Sequence, residues 1–128
     1  VKVFEDNVLV KQVLSEPGDG RVLVVDGGGS RRCALVGDQL AARASEGGWS
    51  GIVVFGSIRD AADIAQIDIG IKALGTHPQR SIKRGEGVRD VAVTFGGVTF
   101  EPGAYLVSDG DGIVIARQNL ADPPPLKD

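Results

Sequence analysis

The chain contains no methionine, a single cysteine and few aromatic residues. Because Cys33 stands alone, an intramolecular disulfide is excluded, and a reducing, cytoplasmic location is expected. No apolar run approaches the roughly 18 residues of a membrane-spanning helix and no signal peptide is visible, so no membrane partner is expected. Since Val1 already lies in an apparent structural element, we expect the natural start and an N-terminal segment to be missing.

Positive charge is also in the minority, since the net charge is −3. This balance argues against a nucleic-acid surface, so no direct nucleic-acid binding is expected. The short basic stretch around Arg80, Lys83 and Arg84 is typical of a solvated loop. With 128 residues the chain fits one domain. We assign that domain to residues 1–120 and the remaining 121–128 to a proline-rich tail.

Apolar periodicity predicts alternating strands and helices, and therefore an α/β fold with a mixed central sheet flanked by helices. Helices are predicted from a cap at Asp6 or Asn7 to before Pro17, over 38–46 and over 61–66, the last capped by Asp60. Strands are predicted over 1–4, 21–25, 33–36, 52–55 and 69–74, followed by hairpins that turn at 96–97 and 109–112. The polar segment 80–86 is expected to be a mobile or partner-facing loop.

The most informative pattern is Asp38 followed, after 20 residues, by the pair Arg59-Asp60. Asp38 follows Gly37 at a predicted helix start, where free backbone amides accept anions. A guanidinium is a forked, always-charged donor to carboxylate oxygens, and carboxylates suit hard divalent cations. The pattern predicts a site for a small oxo acid and a metal. Each residue alone also fits a structural role, as a helix cap or a surface ion pair.

Several sequence blocks closely resemble the RraA-like family. They are VFEDN at 3–7, RVLVVDGGGS at 21–30, ALVGDQLA at 34–41, GSIRD at 56–60, DIGIKALGTHP at 68–78 and GGVTFEPGAYLVSDGDGI at 97–113. The family includes regulators of ribonuclease E activity and class II 4-hydroxy-4-methyl-2-oxoglutarate aldolases. The resemblance implies a swivelling β/β/α domain that assembles into a homotrimer, which in some members doubles to a hexamer.

The resemblance also implies a chemistry. It implies cleavage of 4-hydroxy-4-methyl-2-oxoglutarate to pyruvate with Mg²⁺ or Mn²⁺, and decarboxylation of oxaloacetate through the same enolate. The implied roles are a metal ligand for Asp60, contact with substrate oxygens for Arg59, and a lining for the substrate carboxylate from Gly37, Asp38, Gln39 and Leu40. We further assign Asp38 to positioning the water that takes the substrate's hydroxyl proton.

Three alternatives stay open. A regulatory protein could bind and inhibit ribonuclease E through its surface, with salt-sensitive association. The segment 26–29, Asp26 followed by three glycines, superficially resembles a nucleotide or methyl-donor loop, but its spacing favours a packed turn. Lys72 or Lys83 could form a Schiff base in a metal-free aldolase.

Overall fold

The computed structural model describes residues 1–119, and helices and strands alternate along most of them. Within this part of the chain the helices are α1 Val8–Leu14, α2 Asp38–Glu46 and α3 Ala61–Ile64. The strands are β1 Val22–Asp26, β2 Ala34–Val36, β3 Gly51–Ile58, β4 Gly70–Thr76, β5 Val93–Phe95, β6 Val98–Phe100, β7 Tyr105–Ser108 and β8 Ile113–Ala116. The predicted proline-rich tail lies outside the described residues.

The longest strand, β3, organises a four-stranded parallel sheet. β1 pairs with its first half, from Gly51 to Phe55, and β2 pairs with its end, at Ser57 and Ile58. β4 pairs with both halves, so it occupies the other edge of β3 and leaves β1 and β2 end to end. β3 is mostly buried and reads as a nearly continuous apolar run, which is typical of parallel strands covered on both faces.

The hydrophobic core joins α1 and α2 to this sheet. Val10 of α1, Val25 of β1 and Ala41 of α2 are fully buried in one cluster. Trp49, buried at the turn before β3, donates its indole N–H to the Glu16 carbonyl at 3.0 Å. That bond ties the segment after α1 to the turn before β3, so it helps to fix α1 relative to the sheet.

Antiparallel pairing occurs in two hairpins, β5–β6 and β7–β8. The first turns at Gly96 and Gly97, whose positive φ angles of 60° and 76° are those of the predicted primed turn. Phe95 stacks on Phe55 of β3, with ring centroids 4.8 Å apart, which connects this hairpin to the sheet. The predicted α/β class is confirmed, with parallel pairing in the central sheet and antiparallel pairing in the hairpins.

Some predicted boundaries differ from the structure. Residues 1–4 form only isolated bridges, in which Lys2 pairs with Asp26 and with Val88, rather than a strand. β3 extends three residues beyond the predicted Phe55, because β2 and β4 both pair with its second half. Within the described residues no helix has the length and apolar character needed to cross a membrane.

Candidate active site

The parallel register of β2 and β3 brings the two halves of the predicted site together. Val36 pairs with Ile58, and the Arg59 amide donates to the Val36 carbonyl at 2.9 Å. The next residues of the two strands are therefore neighbours at the carboxyl ends of the sheet, where open α/β sheets bind ligands. The Asp38 amide donates to Asp60 Oδ2 at 3.1 Å, so these two residues, 22 positions apart in sequence, are in direct contact.

Asp60 has an unusual backbone conformation. Its φ of 59° and ψ of 40° are left-handed, a conformation that aspartate tolerates better than most residues. The predicted capping of α3 by its side chain is wrong, because the carboxylate makes no capping bond and turns instead to the start of α2. The pKa of Asp60 is lowered, chiefly by the Asp38 amide and further by the charges of Arg59 and Arg80. Asp60 is therefore an anion at neutral pH.

Asp38 is the first residue of α2, and Gly37 occupies the N-cap position before it. Asp38 Oδ1 accepts a hydrogen bond from the Gln39 amide at 2.8 Å. The amides of Asp38 and Gln39, which the sequence assigns to a substrate carboxylate, are thus already bonded to protein carboxylates. A substrate anion must either displace these bonds or rely on other donors nearby.

Such donors line a cavity of about 200 Å³ beside the start of α2. Four of the predicted residues contribute to its wall, namely Gly37, Gln39, Leu40 and Arg59. The other lining residues are Asn7, Lys11, Ala34, Leu35, Arg43, Arg80 and Lys83. Over the whole lining, five side chains carry positive charge and none carries negative charge, the five being Lys11, Arg43, Arg59, Arg80 and Lys83. The volume lies below the roughly 300–1,000 Å³ typical of drug-sized ligands, so the cavity suits a small anion.

Asp60 does not line this cavity itself but contacts Arg59, which does. Its Oδ2 is 3.9 Å from Arg59 Nη1, and both side chains are about a quarter exposed. A Cβ added at Gly37 would lie 2.9 Å from Arg59 Nε and 3.0 Å from Asp60 Oδ2. The missing side chain at position 37 therefore allows the guanidinium and the carboxylate to approach the helix start together.

Sequence reasoning gave no role in the site to four cavity residues, Asn7, Lys11, Arg43 and Arg80, and considered Lys83 only as a Schiff-base candidate. Asn7 and Lys11, like Gln39 and Arg43, are four residues apart on a helix and therefore share a helix face. This spacing could have predicted that Lys11 and Arg43 lie near the site. Nothing in a single sequence brings residues 80–83 to this cavity. The structure places Arg80 and Lys83 in its wall, whereas the charge run alone indicated a solvated loop.

The segment that carries these two residues is held by Asp6, which is only 1% exposed. The Asp6 carboxylate accepts hydrogen bonds from the amides of Val8, Arg84 and Glu86, at 2.9–3.1 Å. Burial opposes ionisation, but the backbone donors outweigh it and lower the pKa of Asp6. The segment predicted to be mobile or partner-facing is therefore docked on the N-terminal part of the chain.

The side chains at this site could supply a metal ion with only a few protein ligands. Within residues 1–119, no three His, Cys, Asp or Glu side chains converge as a metal cluster. Asp60 nevertheless offers an ionised carboxylate next to a basic, ligand-sized cavity. Mg²⁺ commonly retains several waters and binds through one or two carboxylates plus substrate oxygens, so a hydrated Mg²⁺ or Mn²⁺ fits this site better than a fully protein-ligated ion.

The segment 26–29, Asp26 followed by three glycines, forms a packed turn, as predicted. Asp26 Oδ1 accepts from the Gly28 amide at 2.9 Å, and the amides of Gly27 and Gly29 both donate to the Phe55 carbonyl. A Cβ at Gly27 would lie 2.7 Å from Leu35 Cδ1, so this glycine is required for packing. The backbone N–H groups of the three glycines therefore already have acceptors within the fold.

Comparison with known proteins gives a consistent set of relatives. The RraA-like family model, described as Aldolase/RraA, matches residues 1–115. The chain is 60% identical over 120 residues to a protein of Alkalilimnicola ehrlichii with the provisional name 4-hydroxy-4-methyl-2-oxoglutarate aldolase, covering 94% of this chain and 74% of that protein.

Two solved structures are also similar. The RNA-processing inhibitor RraA from Thermus thermophilis is 47% identical with a TM-score of 0.90, and the match covers 97% of this chain and 73% of that one. A structure described as S-adenosylmethionine:2-dimethylmenaquinone methyltransferase from Geobacillus kaustophilus is 53% identical with a TM-score of 0.93, covering 97% and 78%.

Proposed function

Because this chain belongs to the RraA-like family, we propose that it is a divalent-metal-dependent lyase that cleaves 4-hydroxy-4-methyl-2-oxoglutarate to pyruvate. Several relatives at 52–60% identity carry the provisional aldolase name. The observation that carries the proposal is the bond from the Asp38 amide to Asp60, formed beside Arg59 at the edge of a basic cavity. An inhibitor that acts only through its surface has no chemical need for that arrangement.

The proposed reaction is a retro-aldol cleavage. The C3–C4 bond of the substrate breaks while the C4 hydroxyl loses its proton to water and becomes the carbonyl of one pyruvate. The electron pair passes to C3 as the enolate of the second pyruvate, which is then protonated at C3. Negative charge therefore grows on the 2-oxo oxygen, and donors that bind it more strongly in the transition state accelerate the step.

Arg59 is the residue proposed to stabilise this charge, because its fixed fork of donors matches carboxylate and enolate oxygens. Asp60 is proposed to hold the cation, and its lowered pKa keeps it ionised. A bound divalent cation would supply Lewis-acid stabilisation of the developing negative charge. Asp38 remains our candidate for positioning the water that accepts the hydroxyl proton.

The proposed substrate contacts of Gly37, Gln39 and Leu40 are supported by their place in the cavity wall. The amides of Asp38 and Gln39 already have partners, so we assign the substrate carboxylate chiefly to Arg59 and the adjoining cations. Oxaloacetate decarboxylation follows from the same site, because loss of carbon dioxide from C4 gives the same pyruvate enolate.

A coupled assay for pyruvate release, with Mg²⁺ or Mn²⁺ and then with EDTA, tests the proposal. We expect cleavage that requires the metal. Cleavage that persists in EDTA and is inactivated by borohydride would instead identify a Schiff base, for which Lys83 in the cavity wall is better placed than Lys72. Absence of cleavage with every divalent ion would contradict the lyase proposal.

A second function is favoured by the similarity to the Thermus thermophilis RNA-processing inhibitor. Under this alternative the chain binds ribonuclease E and restrains it, and both activities can coexist on one fold. Titration against the purified nuclease, at low and high salt, would detect the complex. Saturable inhibition of RNA cleavage supports this function, and unchanged cleavage at saturating protein contradicts it.

We also propose that the chain forms the homotrimer, or doubled hexamer, that the family resemblance implies. Exposed apolar side chains support this assembly, since Leu74 of β4 and Tyr105, Val107 and Val114 of the β7–β8 hairpin are 44–58% exposed. Light scattering after size exclusion would measure the mass. A monomer at all accessible concentrations would contradict the assembly.

A further inference from the structure

Lys83 is held in the cavity wall by a chain of hydrogen bonds. Its Nζ donates to Asn7 Oδ1 at 2.7 Å, and Asn7 Nδ2 donates to the Leu35 carbonyl at 3.0 Å. Because only the amide nitrogen can donate to that carbonyl, the oxygen of Asn7 must face Lys83. One of the three ammonium protons is used in this way, which leaves two for a ligand.

The cavity also contains more positive charge than one carboxylate requires. Of its five cationic side chains, only Arg59 forms an ion pair with a carboxylate within residues 1–119, the 3.9 Å contact with Asp60. A 2-oxo monocarboxylate would be satisfied by Arg59 and one adjoining cation. The remaining cations match a ligand with a second negative group.

The two ends of the cavity are suitably spaced for such a ligand. The Leu35 carbonyl of β2 accepts the Asn7 amide, which in turn binds Lys83, and Gly37 follows two residues after Leu35, just beyond the strand. At about 3.3 Å per residue these positions are separated by roughly 6–7 Å. The first and fifth carbons of a five-carbon acid, joined by four bonds of about 1.5 Å, lie roughly 5 Å apart. The length of a short dicarboxylate therefore matches the separation of Leu35 and Gly37.

We propose that Lys83, oriented by Asn7, binds the second carboxylate of the substrate and selects short 2-oxo dicarboxylates over 2-oxo monocarboxylates. The proposal deepens and rests on the lyase function above. Asp6 supports it indirectly, because its bonds to the Arg84 and Glu86 amides fix the segment that carries Lys83.

The two reactions of the site make different demands on Lys83. In retro-aldol cleavage the second carboxylate is retained in a product, so the ammonium can hold it throughout. In oxaloacetate decarboxylation the same carboxylate leaves as neutral carbon dioxide, so the contact favours the ground state over the transition state. Removing the cation should therefore raise KM in both reactions, leave kcat of the cleavage nearly unchanged and raise kcat of the decarboxylation.

The test uses Lys83→Met, Lys83→Arg and, as a charge-matched control outside the cavity, Lys72→Met. For Lys83→Met we expect kcat/KM for 4-hydroxy-4-methyl-2-oxoglutarate to fall about 10- to 100-fold, the loss typical of a charged hydrogen bond. Methyl-proton exchange of pyruvate, which has one carboxylate, should fall at least tenfold less. Lys83→Arg should recover part of the cleavage, and Lys72→Met should match the wild type.

Equal losses for the dicarboxylate and for pyruvate, or no loss for either, would overturn the proposal. Calorimetry separates its failure from failure of the lyase function. If the wild type proves inactive, the inference still requires that 2-oxoglutarate bind more tightly than 2-oxobutyrate, and that Lys83→Met remove this preference. Absence of any such preference in the wild type overturns it as well.

Discussion

Gly37→Ala tests the geometry of the site directly. The backbone at position 37, with φ −118° and ψ −174°, is extended and accepts alanine without strain. The new Cβ would lie 2.9 Å from Arg59 Nε and 3.0 Å from Asp60 Oδ2, whereas ordinary contacts begin at 3.4 Å. The two side chains must therefore move by about 0.5 Å, close to the roughly 0.5 Å tolerance of a productive site.

The expected cost falls on activity rather than on folding. Both displaced groups are partly exposed and can move, so the stability change should be about 1 kcal/mol, chiefly from placing alanine at a helix N-cap. That corresponds to a shift in Tm of about 3–5 °C for a chain of this size. Misplacing the guanidinium and the carboxylate together should lower kcat/KM about 100-fold, or about 2.7 kcal/mol in transition-state binding.

The assay is metal-dependent pyruvate release, followed together with thermal unfolding. Gly112→Ala is the matched control, because a Cβ there meets nothing within 4 Å. Wild-type activity in Gly37→Ala would refute the reasoning, since the convergence of Arg59 and Asp60 on the helix start would then be irrelevant to function. A large loss of stability would show that the position serves folding instead.

Three further predictions concern the carboxylates and the guanidinium. Asp60→Asn should retain the left-handed backbone and the fold but abolish metal-dependent cleavage, as seen by metal titration and circular dichroism. Asp6→Asn should destabilise the chain by about 1–3 kcal/mol in urea unfolding at pH 7, because an amide donor replaces an acceptor that faces backbone N–H groups. Since the folded pKa of Asp6 lies below the usual 3.8, its contribution is complete above pH 3.8 and is lost as the pH falls through the folded value, so the difference from wild type should shrink in acid. Arg59→Lys should lower kcat/KM for cleavage at least tenfold, because a lysine lacks the fork, and full activity would contradict the assigned role.

The sequence predicted the parts of the fold that depend on local pattern. The run 52–55, the helix 38–46 and the Gly96-Gly97 turn each contain their own periodicity or turn residues, and each forms close to where predicted. The extension of β3 to Ile58 could not be predicted from the local sequence, because it depends on pairing with β2 and β4.

The candidate site, like the fold, could be predicted from the sequence only in part. The pair Arg59-Asp60 and the residues around Asp38 were predicted from spacing and resemblance, and the parallel register brings them together. The left-handed turn of Asp60 toward α2, and its failure to cap α3, depend on tertiary contacts. A buried carboxylate at position 6 binds amides nearly 80 residues away and so helps to hold Lys83 at the cavity, and no local signal encodes that contact.

The central claim is that Arg59 and a cation held by Asp60 stabilise the enolate of pyruvate. Exchange of the pyruvate methyl protons with deuterium, followed by NMR in the presence of Mn²⁺ or Mg²⁺, measures that step without a second substrate. We predict exchange that requires the metal and disappears in Asp60→Asn. Exchange at the same rate in EDTA, or none with any divalent ion, would contradict it.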